Sequence, residues 1–131
     1  MTPAARTHLD AVPASAGAAR HFVRDLLVAW DCDDPDEIAV LLTSEIVSNA
    51  VRHAADELGI DVLVGLTDDV LRIEVHDGGP GEPRMQRPPD GAVSGRGLLL
   101  VDALARRWGA DRNVTGKVVW FELPARRRQS T

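Results

Sequence analysis

The chain has a single cysteine, Cys32, among its 131 residues. That excludes a disulfide within the chain and any metal site built from clustered cysteines, and it suits a reducing compartment. Positive charge is also in deficit: 15 Lys and Arg stand against 20 Asp and Glu, giving a formal net charge of -5 and a pI of about 5.3. Such a chain lacks the global positive field on which non-specific nucleic-acid binding depends, so nucleic acid is not an expected partner. The one basic cluster, Arg126-Arg127-Arg128, reads as part of a solvated, flexible tail over residues 125–131. No apolar run approaches the roughly 20 residues of a membrane span, and the N-terminus lacks a basic-then-apolar signal pattern. The expectation is a cytoplasmic protein with no membrane contact.

With 44% hydrophobic residues, the length fits one globular domain, residues 1–131, around a single core. A short edge strand is expected around Leu9 to Val12. Ala19, Phe22, Val23, Leu26, Leu27 and Trp30 then recur at helical spacing. A second helix is expected from Asp34-Pro35-Asp36-Glu37, with Asp34 as N-cap, Pro35 at the first helical position and Glu37 completing a capping box. It should run to about Asp56 and bury Ile38, Leu41, Leu42, Ile46, Ala50 and Ala54. From Gly59 the period changes to two: Ile60, Val62, Val64 and Leu66, then Leu71, Ile73 and Val75 after a turn at Asp68-Asp69. Residues 79–95, rich in proline and glycine and without apolar periodicity, form a long loop of the kind that serves as a lid. Helical spacing resumes at Leu98, Val101, Leu104 and Ala105. Two last strands flank a turn near Thr115-Gly116, the second directing Val119, Phe121 and Leu123 inward. This order predicts an α+β two-layer sandwich, a mixed, mostly antiparallel sheet covered on one face by three helices.

The chemistry concentrates in three places. Glu45, Asn49 and His53 recur every four residues on the second helix, and such residues share a face. Downstream come two glycine turns, Asp77-Gly78-Gly79-Pro80-Gly81 and Gly95-Arg96-Gly97-Leu98. Gly79 and Gly81 let the backbone approach a planar ligand closely. Asp77 reads either as part of an ordinary Asp-Gly turn or as a carboxylate that accepts a hydrogen bond from the exocyclic amine of adenine, in which case guanine, presenting an oxygen there, is disfavoured. GTP binding as tightly as ATP would contradict that role. Gly95, Arg96, Gly97 and Leu98 open a helix whose free N–H groups and dipole favour phosphate.

In the segment Glu45-Ile46-Val47-Ser48-Asn49-Ala50-Val51-Arg52-His53-Ala54 and these two turns, the chain resembles the GHKL, or Bergerat-fold, ATP-binding superfamily, and within it the anti-sigma-factor serine/threonine kinases. The likeness covers nearly the whole chain and matches the N, G1 and G2 boxes in order. It implies a Bergerat fold, the cofactors ATP and Mg²⁺, Asn49 as the metal ligand and Glu45 as the catalytic base. His53 has two readings, support of the phosphate side or packing at the helix end, and Arg96 likewise serves either the γ-phosphate or a partner. The implied function is regulation of transcription by partner switching: the protein binds a sigma factor and phosphorylates an antagonist protein. A homodimer is also implied. The alternative is a non-catalytic ATP-binding module whose partner affinity follows its nucleotide state, and a third reading is an interaction domain without nucleotide. One departure bears on affinity. Many relatives carry a threonine in a Gly-Lys-Thr-Val or Gly-Thr-x-Val segment, where this chain reads Gly116-Lys117-Val118-Val119. Val118 cannot donate, so one polar contact to the base is expected to be missing.

Overall fold

The computed structural model describes residues 4–34, 36–53, 58–78, 96–113 and 116–127. Among the described residues, seven strands and three helices follow in the order β1 (Ala4–Leu9), α1 (Ser15–Ala29), β2 (Cys32–Asp34), α2 (Asp36–His53), β3 (Ile60–Thr67), β4 (Val70–Asp77), α3 (Arg96–Leu104), β5 (Arg107–Asn113), β6 (Gly116–Pro124) and β7 (Arg126–Arg127). Five strands make the main sheet in the order β1-β3-β4-β6-β5, and every pairing in it is antiparallel. No parallel pair occurs among the described residues, so the sheet is simpler than the mixed one expected. No helix among the described residues is long and apolar enough to cross a membrane.

Strand alternation divides the sheet into two unlike faces. Ile60, Val62, Val64 and Leu66 on β3, Leu71, Ile73 and Val75 on β4, and Val119, Phe121 and Leu123 on β6 are all buried. They join Ala19, Val23 and Leu27 of α1, Leu42, Ile46 and Val47 of α2, and Leu98 and Val101 of α3 in one core. The two-residue turn between Thr67 and Val70 is tight, and Asp68 takes the left-handed conformation there (φ 55°), which aspartate tolerates better than most residues. The opposite face is polar. Arg72 donates from Nε to Glu74 (2.7 Å) and from Nη1 to Glu122 (2.9 Å), and its guanidinium lies 3.9 Å above the Trp120 ring.

Several expectations are corrected. The first strand ends at Leu9, where it was expected to begin. Asp34, expected to cap α2, is the last residue of β2; Pro35 and residues 54–57 lie outside the described residues, and with them the expected end of the helix. The buried stripe of α2 is Ala39, Val40, Leu42, Thr43, Ile46, Val47 and Ala50, while Ile38 and Leu41 are exposed. The reason is that α2 packs between α1 and α3 as well as over β4, so three neighbours choose its inward face. Arg20 Nη1 of α1 donates to Ser44 Oγ of α2 at 2.9 Å, fixing that rotation. In α3, Leu104 is exposed, and Ala105 lies past the last helical residue with its N–H bonded to the Val101 carbonyl. Arg126 and Arg127, expected to belong to a flexible tail, pair as β7 with Asp34 and Cys32 of β2, and Ala125 before them is buried. Residue 128 onward lies outside the described residues.

Thr43 is the one fully buried side chain among the described residues whose polar atom has no hydrogen-bond partner. Burying an unmet hydroxyl costs on the order of 1–3 kcal/mol. Thr43→Val keeps the shape and removes the hydroxyl, so it is expected to stabilise the protein by about 1 kcal/mol. A chemical-denaturation midpoint that fell in the variant would show that the hydroxyl finds a partner.

Candidate functional site

Glu45 and Asn49 lie one turn apart on α2, both half-buried, between Thr43, Ile46, Val47 and Ala50, which are buried. A carboxylate and a carboxamide held partly out of water on the same face of a rigid helix can engage a ligand without first being ordered. His53, the last residue of α2, is exposed, yet its pKa is lowered, first by partial burial and next by the positive charge of Lys117, against the opposing pull of Asp77. The end of α2 therefore stands within electrostatic reach of the end of β4. A histidine whose pKa is lower folded than unfolded adds stability above the unfolded value of 6.5 and loses it as pH falls through the folded value. His53→Gln is expected to remove that acid-side loss, so melting temperatures of the two proteins should change in parallel above neutrality and diverge below it. Parallel curves throughout would mean that His53 is not perturbed.

Asp77 closes β4 and is buried. In register it stands between Ile60 of β3 and Lys117 of β6. Its backbone is held from behind by Gly116, which adopts φ 151°. A Cβ at that position would lie 1.9 Å from the Asp77 carbonyl oxygen and 2.7 Å from the Gly78 Cα, so only glycine fits. Leu98, in the first turn of α3, is buried in the core. Arg96 and Gly97 start that helix. Gly79, Gly81, Gly95 and the whole of residues 79–95, read as a lid from the sequence, lie outside the described residues.

The register corrects the reading of Val118. It stands opposite His76, one residue out of step with the Asp77–Lys117 pair, and adjacent strand residues point to opposite faces. Val118 therefore lies on the polar face of the sheet, away from Asp77. The side chain that does share Asp77's face is Lys117, which the sequence reading passed over. The signal was present: counting back by two from Phe121 and Val119, both inward, leads to Lys117. Its ammonium is 3.9 Å from Asp77 Oδ1, with side chains only 7% and 4% exposed.

Asn49 offers a neutral carboxamide oxygen, a donor suited to Mg²⁺. Among the described residues no group of three or more His, Cys, Asp and Glu could hold a metal ion. A Mg²⁺ ion at Asn49 would then draw its other ligands from phosphate oxygens and water, the usual arrangement for this ion.

An antiparallel sheet layered under three helices, with a buried aspartate closing a central strand and a polar row on the neighbouring helix, is the Bergerat arrangement of ATP-binding domains. The chain matches the family model of the histidine kinase-like ATPase domain over residues 9–123 and belongs to that family. Among solved structures it is similar to the RsbU and RsbW domains of Rv1364c from Mycobacterium tuberculosis, at 26% identity and a TM-score of 0.72, covering 98% of this chain and 35% of that one. The histidine kinase domain of the Erythrobacter litoralis EL346 blue-light activated histidine kinase is similar at 25% identity and a TM-score of 0.56, covering 86% of this chain and 60% of that one. The mycobacterial sensor histidine kinase MprB, at 14% identity and a TM-score of 0.57, shares the fold over 95% of this chain and 100% of that chain. The chain thus spans about a third of the length of the Rv1364c structure it matches. No curated protein matches it.

Proposed function

We propose that the protein is an Mg-ATP-dependent serine/threonine kinase of the anti-sigma-factor type, which binds a sigma factor and phosphorylates an antagonist protein. The observation that carries this reading is the half-buried Glu45/Asn49 pair on the α2 face, in a chain whose fold follows the RsbU and RsbW domain structure over nearly its whole length. Asp77 accepts from the adenine amine, and the opening of α3 at Arg96 and Gly97 offers N–H groups to phosphate. Asn49 contributes a neutral oxygen to Mg²⁺, which offsets charge on the phosphates when bound. Glu45 takes the proton from the partner's serine or threonine hydroxyl as that oxygen bonds to the γ-phosphorus and the bond to ADP breaks. His53 supports the phosphate side of the site as the neutral imidazole. The kinase acts in the cytoplasm as a homodimer.

The test is calorimetric titration with ATP, with and without Mg²⁺. Asn49→Ala is expected to abolish Mg-dependent binding, and unchanged affinity would remove Asn49 from the metal site. Glu45→Ala is expected to keep ATP affinity within a few-fold and lower phosphate transfer to a captured antagonist by about 100-fold or more. Full regulation of the partner by Glu45→Ala would instead favour the non-catalytic module.

A further inference from the structure

We propose that Lys117 reads the base directly, donating a hydrogen bond from its ammonium to N1 of adenine while Asp77 accepts one from the 6-amino group. The two side chains together then recognise the edge of a 6-aminopurine. This rests on the ATP-binding reading above and adds to it a residue that sets base specificity.

Three observations lead to it. Register places Lys117 directly opposite Asp77, on the face where Val119, Phe121 and Leu123 are buried. The side chain is 7% exposed, yet its ammonium stands 3.9 Å from Asp77 Oδ1, beyond hydrogen-bond length. An ammonium carries three donors, and no hydrogen bond from this one is found among the described residues. The atom best placed to accept from this ammonium lies on whatever Asp77 also binds, because the two groups stand side by side.

Charge narrows the choice of ligand atom. The Asp77 carboxylate beside the ammonium repels phosphate and leaves the pair close to neutral, which suits an uncharged base. His53 at the end of α2 is within electrostatic reach of both members of the pair and, like Arg52 before it, is exposed. Adenine offers a donor and an acceptor on adjacent atoms, in the order that a carboxylate and an ammonium side by side require. Hypoxanthine and guanine reverse that order, with O6 set against Asp77 and N1–H against Lys117. Two contacts are then mismatched instead of one.

The experiment is calorimetric titration of the unaltered protein and Lys117→Met with ATP, with 1-deaza-ATP, in which a C–H replaces N1, and with adenosine. The unaltered protein is expected to bind 1-deaza-ATP about tenfold more weakly than ATP, the loss of one charged hydrogen bond. Lys117→Met is expected to bind ATP more weakly and to lose the distinction between the two nucleotides. Equal affinity of the unaltered protein for both overturns the proposal, and this comparison needs no variant to fold. A distinction that persists in Lys117→Met overturns it too, as does a variant weakened for ATP but not for adenosine, which would place the ammonium on phosphate. Absence of any ATP binding by the unaltered protein is a separate result that removes the nucleotide reading itself and this proposal with it.

Discussion

Gly116→Ala is expected to destabilise the protein by about 3 kcal/mol or more and to abolish adenine-nucleotide binding. Two costs combine. The backbone at φ 151° lies in a region that side-chain-bearing residues rarely adopt. The added Cβ would also overlap the Asp77 carbonyl oxygen at 1.9 Å and meet the Gly78 Cα at 2.7 Å. Both contacts are backbone atoms, so no side chain can rotate out of the way. Relief requires the end of β4 to move away from the start of β6, and Asp77 moves with it. Urea denaturation gives the stability change and calorimetry gives the binding. A variant within about 0.5 kcal/mol of the parent, the range of ordinary surface substitutions, would mean that the two strand ends are not held together as described.

Asp77→Ala is expected to cost about 3 kcal/mol, more than the loss of a surface carboxylate, because it leaves the Lys117 ammonium buried without a counter-charge. The paired substitution Asp77→Leu with Lys117→Met should recover most of that stability, since apolar replacement of a whole buried pair is often neutral or better. Both proteins should fail to bind ATP. The prediction thus separates the pair's structural role from its ligand role: stability returns in the double variant and binding does not. Additive losses in the double variant would show that the two charges do not compensate each other.

Much of this arrangement was legible in the chain. The period-two runs at Ile60 to Leu66 and Leu71 to Val75 specify β3 and β4 because one face of each strand is apolar and the other is not. The same alternation fixes which side of β6 is inward. The four-residue recurrence of Glu45, Asn49 and His53 marks a single helix face, and the structure keeps the first two half-buried on it. Asp77 was recognisable from its place at a strand end before a glycine turn.

Less legible was the inward face of α2. Ile38 and Leu41 are as apolar as the residues that replaced them, and a helix with three neighbours has no single period to reveal which stripe is buried. The pairing of Cys32 and Asp34 with Arg127 and Arg126 joins segments more than ninety positions apart, and polar residues in such short strands leave no local signal. Lys117 is the sharpest case. Its parity in β6 was readable, but its partner depends on how β6 aligns with β4.

The sequence alone determined the number and kind of the main elements, the antiparallel hairpins, and the polar helix row and strand-end aspartate of the candidate site, because hydrophobic period and turn residues act within a few positions of each other. Only the tertiary structure decided that Val118 faces away from the site, that Lys117 faces Asp77, and that Gly116 supports it. Each follows from strand register, where a shift of one residue turns every side chain to the other face, and register is set by contacts between segments that the linear chain does not place together.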